Sequence, residues 1–422
     1  VICSYQFARK QEIYIKLIDW DLVVIDEAHR LRNVYKPSNK IANTLKNLFL
    51  SKKKILLTAT PLQNSLLELY GLVSIIDEYA FGDLESFKTR YMQIKNKDVF
   101  SELKDRLQPY CIRTLRKQVS AYIKYTKRIP ITQEFYPTDS EQKLYDLVSG
   151  YLQEDELYAL PNSQRKLMTL ILRRLLASST FAISGTLSGL ANKLDDIINK
   201  NERLLNPEQL ITDDYEMYDE LVDEWDEEEE EENKIYTQEE IAKIKSESEK
   251  LKTFYELAKS IVKNSKGEVL LTALKKGLNE LEKSGGARKA IIFTESTRTQ
   301  KYLFELLQTT EFKNKIVLFN GTNTDTLSKA IYNDWFNKNY NTGKVTGSKT
   351  ADMRAALIEY FRDTAEIMIA TEAAAEGVNL QFCSLVVNYD LPWNPQRIEQ
   401  RIGRCHRYGQ KFDVVVVNFL NK

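Results

Sequence analysis

Residues 21–30 read Asp21-Leu22-Val23-Val24-Ile25-Asp26-Glu27-Ala28-His29-Arg30, an apolar run that breaks into two carboxylates. A short run without polar interruption predicts a strand buried on both faces, as in the parallel sheets of α/β layers. Similar runs fall into two clusters. The first holds Val1 to Ser4, Leu22 to Ile25 and Ile55 to Leu57; the second holds Ala290 to Phe293, Ile316 to Phe319, Ile367 to Ala370, Leu385 to Asn388 and Val414 to Leu420. Two α/β lobes are therefore expected, the first incomplete because it has too few strands. Residues 66–128 and 139–265 are rich in Leu, Lys and Glu at helical spacing, as in Gln164-Arg-Lys-Leu-Met-Thr-Leu-Ile-Leu-Arg-Arg-Leu-Leu176, and predict large helical insertions. Ile129 to Pro137 alternates instead, which suits a strand returning to a lobe. The expected division is a partial first lobe over 1–75, a helical protrusion over 76–128, a linker strand plus helical insertion over 129–268, and a second lobe over 269–422.

A chain of 422 residues exceeds what one core usually serves. Cys3, Cys111, Cys383 and Cys405 are scattered without zinc or disulfide spacing, which points to a reducing, cytoplasmic setting. No membrane-length apolar stretch or signal peptide is present, so no membrane partner is expected. The chain begins at Val1, which implies a piece excised from a longer polypeptide. Its formal charge of zero conceals an asymmetry: residues 213–232 hold 14 Asp or Glu and no Lys or Arg, and setting them aside leaves 60 basic against 46 acidic residues. The remainder suits a polyanion partner, although a basic surplus also serves solubility. The acidic run reads as a solvated linker, or as a nucleic-acid mimic covering a basic cleft. Residues 238–262 read as a long charged helix or short coiled coil.

Two carboxylates on a turn after a buried strand lie at the carboxyl edge of a sheet, where open α/β folds bind ligands. Phosphoryl transfer needs an oxygen ligand that holds Mg²⁺ against phosphates and a group that orients or deprotonates water. Asp26 suits the first role and Glu27 the second; the competing reading is a helix cap. Beyond the next helix, Lys54-Ile-Leu-Leu-Thr58-Ala59-Thr60-Pro61-Leu62-Gln63-Asn64 is again a strand breaking into hydroxyl residues, which suit either coupling or capping. The only other histidine lies in Gln400-Arg401-Ile402-Gly403-Arg404-Cys405-His406-Arg407-Tyr408-Gly409-Gln410.

Asp-Glu-Ala-His at 26–29 and Thr-Ala-Thr-Pro-Leu-Gln-Asn at 58–64 resemble motifs II and III of superfamily II helicases, specifically SWI/SNF-type DNA translocases of a bacterial branch. The Pro-Leu-Gln-Asn continuation separates that family from RNA helicases. Val1-Ile-Cys-Ser-Tyr5 is similar to motif Ib, and Lys289-Ala-Ile-Ile-Phe-Thr294 to motif IV. Gly347-Ser348 with Arg354 and Phe361 is similar to the segment before motif V. Ala370-Thr371 through Glu376-Gly377-Val378-Asn379-Leu380 resembles motif V, and Asp390-Leu-Pro-Trp393-Asn394-Pro395-Gln396 leads into motif VI at Gln400 to Arg407. The resemblance implies two RecA-like lobes, with ATP and Mg²⁺ as cofactors and double-stranded DNA and a DNA-bound protein as partners. It makes Asp26 a ligand to Mg²⁺ through water and Glu27 catalytic. Arg404 and Arg407 become arginine fingers, the competing reading being plain phosphate binding; the family pattern gives Arg401 no such role. It gives coupling roles to His29, Thr58, Thr60, Gln63, Gln400 and His406, the last being open to a structural reading as well. Thr294, Thr371, Glu376, Gly377 and Asn379 become DNA-binding residues. Trp393, between two prolines, reads as a packing anchor in preference to a base-stacking platform.

The chain holds no phosphate cradle of the form GxxxxGK[ST]. The nearest match, Gly343-Lys-Val-Thr-Gly347-Ser348-Lys349-Thr350, has one residue too few between its glycines and a serine before the lysine. It lies in a polar stretch, 337–352, that reads as a mobile loop. Motifs I and Ia are therefore expected in an upstream part of the same polypeptide, and this chain alone is expected to be inactive as an ATPase. Rival readings are a motor subunit of a restriction or phage-defence system, and a catalytically inactive DNA-binding scaffold.

Overall fold

A computed structural model describes the chain except for residues 63–64, 93–96, 115–117, 119–121, 123–124, 162–164, 200–213, 216–235 and 373–376. The acidic run at 213–232 therefore lies outside the described residues apart from Asp214 and Tyr215. The fold class is α/β with parallel sheets, in two compact units, Val1–Val119 and Ser120–Lys422.

In the first unit β1 (Val23–Ile25) pairs in parallel with β2 (Lys54–Leu56), Val23 opposite Lys54 and Ile25 opposite Leu56. Ile25 joins a core with Ala28, Leu31, Leu45 and Leu48. The continuous apolar run predicted burial on both faces, yet Val24, Ile55 and Leu57 are 55%, 46% and 47% exposed. Among the described residues only one face of this sheet is covered. Val1 to Ser4, expected as a strand, is not one: the Ser4 hydroxyl accepts the Phe7 N–H at 3.2 Å and starts a helix over Tyr5–Lys10, the usual effect of serine at an N-cap. The stretch expected to be helical contains helices Leu66–Ile76, Leu84–Tyr91 and Lys97–Leu107. They enclose a separate core of Leu69, Val73, Phe81, Phe87, Tyr91 and Leu103.

The second unit is organised by a sheet of six parallel strands among the described residues, in the order β3 (Arg128–Phe135), β8 (Val414–Asn421), β7 (Leu385–Asn388), β4 (Ala290–Thr294), β6 (Ile367–Thr371), β5 (Ile316–Phe319). The strand expected to return to a lobe is β3, paired with β8 through Ile129 opposite Val415. Period-two alternation divides strands β4 to β7 between two cores. Ile291, Phe293, Val317, Phe319, Met368 and Val386 meet helices Thr326–Asn339, Lys349–Asp363 and Pro395–Cys405 on one face. Ile292, Ile316, Leu318, Ile369, Leu385 and Val387 meet helices Ser265–Lys283 and Thr297–Gln308 on the other. Residues 337–352, expected as a loop, are shorter in that role: helices reach Asn339 and resume at Lys349, and Asp352 accepts Thr346 N at 2.9 Å and Thr346 Oγ1 at 2.8 Å.

The helical insertion has its own core. Helix Arg165–Ser178 turns Leu167, Met168, Ile171, Leu172 and Leu175 inward, as its spacing predicted. Helix Gln238–Ser260, opened by a Thr237–Glu240 capping box, packs Ile244, Leu251 and Ala258 into the same cluster as Leu187, Leu190 and Leu194 of helix Thr180–Ile198. It is an intramolecular helix pair. The insertion is joined to the sheet by buried Asp390, just after β7. One carboxylate oxygen accepts Ser178 Oγ at 2.7 Å, Thr294 Oγ1 at 2.7 Å and Glu295 N at 3.0 Å; the other accepts Lys266 Nζ at 2.7 Å.

Burial opposes the charge on Asp390, but the Lys266 ammonium and the hydroxyl donors outweigh it and hold the carboxyl below its ordinary range. Its stabilising contribution is therefore complete above the unfolded carboxyl value of about 3.9 and is lost as pH falls through the folded value. Asp390→Ala, which strands a buried ammonium, should lower the stability of the second unit by about 3–5 kcal/mol in denaturant titrations. Asp390→Asn should flatten the acid limb of its stability profile; an acid limb identical to that of the unaltered chain would contradict the assignment.

Candidate functional site

In the first unit the chain turns sharply at the carboxyl end of β1. Glu27 adopts the left-handed conformation (φ 50°, ψ 43°), uncommon for a residue with a Cβ and a place where backbone strain is stored. Its amide donates to Asp26 Oδ1 at 2.9 Å, and the following Ala28 N–H is held by Leu57 O at 2.9 Å, so the turn is fixed against the end of β2. The Tyr5 hydroxyl donates to the Asp26 carbonyl. Burial, the main cause, pushes the Tyr5 hydroxyl up to about 12, so it stays a donor at neutral pH. Both carboxylates are exposed to solvent. This is an acidic corner, and its geometry differs from a helix cap because neither carboxylate caps the short 3₁₀ helix Ala28–Leu31 that follows.

His29, the second residue of that helix, lies between two motifs. Its Nδ1 is 3.3 Å from Glu27 Oε2 and 3.4 Å from Thr58 Oγ1. Nδ1 thus stands between a carboxylate, which only accepts, and a hydroxyl, which donates or accepts. Thr58 Oγ1 in turn accepts the Thr60 amide at 3.1 Å, and Thr60 is buried. Gln63 lies outside the described residues. Among the described residues no set of three or more His, Cys, Asp or Glu side chains is gathered as metal ligands. A single carboxylate such as Asp26 is nevertheless enough for a hard cation that keeps several waters and takes its remaining ligands from phosphate oxygens.

In the second unit helix Pro395–Cys405, capped by Asn394 with Pro395 in its first turn, presents the arginine block. Arg401 is 2% exposed, whereas Arg404 and Arg407 are half-buried; Arg407 Nε donates to Gly403 O at 3.0 Å. Gln400 is half-buried on the same helix. His406 is buried, with Nε2 2.7 Å from the Thr126 carbonyl and Nδ1 accepting Arg128 Nε at 2.9 Å, which fixes the proton on Nε2. Arg128 also grips both oxygens of Glu399, at 2.9 and 2.8 Å. His406 thus fastens the start of β3 to the arginine helix.

The residues expected on DNA divide. Thr294 is buried with its hydroxyl on Asp390, and Thr371 is buried at the end of β6. Gly377, with φ 74° and open space where a Cβ would stand, and Asn379 are exposed. Glu376 lies outside the described residues. Trp393 is 71% exposed and not a packing anchor; Arg174 lies 5.6 Å from its ring centre. Residues that the sequence reading missed are Tyr5, Asp390 and Arg401, whose roles depend on partners far away in the chain.

Residues 1–194 match the SNF2-related domain and residues 298–409 the helicase conserved C-terminal domain. Among similar proteins, an uncharacterised ATP-dependent helicase of Bacillus subtilis (strain 168), YqhH, is 30% identical over 428 residues, covering 100% of this chain and 60% of its own. A chromodomain-helicase-DNA-binding protein 3 homolog of Caenorhabditis elegans is 25% identical over 427 residues, covering 100% of this chain and 18% of its own. The chain thus spans less than two thirds of the length of these relatives. The solved SWI2/SNF2 ATPase core of Sulfolobus solfataricus in complex with dsDNA covers 99% of this chain and 67% of its own at 16% identity, with a TM-score of 0.35.

The left-handed turn at Glu27 can be tested through stability. A residue with a Cβ is strained there by about 1–2 kcal/mol relative to glycine, partly offset by the greater freedom of glycine in the unfolded chain. Glu27→Gly should therefore leave the first unit more stable than Glu27→Ala, by about 1 kcal/mol in thermal unfolding. An order in which the alanine variant is the more stable would count against this turn.

Proposed function

We propose, for a chain that belongs with the SNF2-type helicases through its SNF2-related and helicase C-terminal domains, that it forms part of an ATP-dependent motor on double-stranded DNA. The motor moves along the duplex and displaces or remodels a protein bound there. The observation that carries this reading is the contrast on helix Pro395–Cys405 and its end: Arg401 is fully engaged inside the fold, while Arg404 and Arg407 are not buried with it.

Bound Mg²⁺ and ATP would supply the transferable γ-phosphoryl group and a partner for its charge. Asp26 would hold the cation through water. Glu27 would orient the attacking water and take its proton on a carboxylate oxygen, with His29 holding that carboxylate and reporting to Thr58. Arg404 and Arg407 would donate to the charge that spreads over the equatorial oxygens, a contribution on the order of 10³–10⁵ in rate. Gly377 and Asn379 would meet the sugar-phosphate backbone, which gives sequence-tolerant and salt-sensitive binding. The sequence has no GxxxxGK[ST] cradle, so this chain by itself is expected not to turn over ATP.

The decisive experiment measures duplex binding by the 422-residue chain over a salt series, together with turnover in a version joined to a phosphate cradle. The chain should bind duplexes of unrelated sequence equally, with affinity falling steeply as salt rises. Arg404→Ala and Arg407→Ala should each reduce turnover by about 10³-fold or more while nucleotide affinity changes little. Unchanged turnover in both variants would remove the arginines from the mechanism. Rapid ATP hydrolysis by the 422-residue chain alone would show that it needs no cradle.

A further inference from the structure

Arg407 stands just outside the helix that carries Arg404. Helix Pro395–Cys405 ends before it, and His406 leaves the helical conformation with φ −93° and ψ 72°. Arg404 lies within the helix, so the backbone ladder fixes where its side chain begins. Arg407 lies beyond that ladder, and its placement depends on what holds residues 405–407.

Arg128, the first residue of β3, holds them from outside the helix. Its Nε donates to His406 Nδ1 at 2.9 Å, and one terminal nitrogen donates to both oxygens of Glu399 at 2.9 and 2.8 Å. Positions 399 and 406 are separated by close to two helical turns, so they share a face. A planar, forked donor can span that face, whereas a lysine ammonium offers a single point of charge. Because Nδ1 accepts, the ring proton stays on Nε2 and is donated to the Thr126 carbonyl at 2.7 Å. Residues 126–128 thus grip both nitrogens of the ring. From another direction Gln410 Nε2 donates to the Cys405 carbonyl at 3.0 Å, and Arg407 Nε closes back onto Gly403 O at 3.0 Å.

The Glu399 side chain is 63% exposed. An ion pair so open to water adds little to stability. What the clasp supplies is direction: His406 is buried and directly precedes Arg407, so turning its ring out would swing the backbone that carries the arginine.

We infer, on the strength of the functional reading above, that Arg128 and Glu399 are positioning residues for Arg407: acting through His406, they aim its guanidinium at the transferred phosphoryl group. Arg404 takes its direction from the helix itself. Neither Arg128 nor Glu399 acts on the nucleotide directly, so their removal should change how fast bound nucleotide reacts and not how tightly it is held.

Two measurements test this. In the 422-residue chain, nuclear magnetic resonance should show the His406 ring protonated on Nε2. There Arg128→Ala should speed exchange of the Arg407 Nε–H by about tenfold, the effect of losing one modest hydrogen-bonded constraint, while unchanged amide exchange in β4, β6 and β7 shows that the unit is folded. In a version joined to a phosphate cradle, Arg128→Ala should lower kcat by about 10–100-fold, the scale of a misplaced catalytic group, with KM for nucleotide and affinity for duplex nearly unchanged. The clasp and Arg407 should not add: Arg128→Ala combined with Arg407→Ala should turn over no more slowly than Arg407→Ala alone, whereas a role in folding would cost the same factor in both backgrounds. Should Arg128→Ala unfold the unit, Glu399→Gln weakens the same grip from its exposed side and takes the same measurements. Unchanged Arg407 exchange, unchanged kcat, or an equal further loss in the Arg407→Ala background overturns the inference alone. Full turnover in both Arg404→Ala and Arg407→Ala overturns the functional reading and the inference with it.

Discussion

A single buried carboxylate organises the second unit. Asp390 receives a lysine from helix Ser265–Lys283, a serine from the end of helix Arg165–Ser178, and a threonine and a backbone amide from the end of β4. Three pieces of chain that share no hydrogen-bond ladder with one another, two helices and the end of β4, are thereby brought to one point at the carboxyl edge of the sheet. A lone charge in that interior would be prohibitive, so all the partners must arrive together. The helical insertion is for this reason part of the unit's architecture, and the backbone carbonyl of Asp390 passes the arrangement on to Arg401.

The eight described strands of the two sheets, readable as apolar runs or alternation, together with the long helices, were legible because period and composition act locally. Ile316 to Phe319 and Leu385 to Asn388 were delimited to the residue, and Ile129 to Pro137 was recognised by its alternation. Val1 to Ser4 misled because a short apolar run says nothing about whether a neighbouring strand exists to pair with it. The acidic corner and the arginine helix were visible because their residue types and order are unusual. Asp390, Arg401 and Tyr5 were not, since their work consists of contacts across long separations: Lys266 precedes Asp390 by 124 residues. Thr294 shows the reverse. Its hydroxyl at a strand end looked available for a ligand and is taken by a carboxylate that no local pattern could have revealed.

The acidic corner shows how backbone conformation and chemistry are joined. Glu27 is left-handed because the chain has to leave β1 and place Ala28 N–H on Leu57 O within two residues. A glycine would turn there more easily but would bring no carboxylate. The strain is thus tolerated where the side chain is needed, and the Tyr5 hydroxyl on the Asp26 carbonyl helps to hold the turn.

The bare face of the β1–β2 sheet has a consequence for handling the protein. Val24, Ile55 and Leu57 form an apolar strip on a parallel pair of strands, next to further exposed Leu22. Such a surface in water is a template for self-association, and two strands are too few to resist pairing with a neighbour. In a preparation of these 422 residues, association through this strip should grow with concentration and be relieved by mild detergent, which covers apolar surface without unfolding the buried cores.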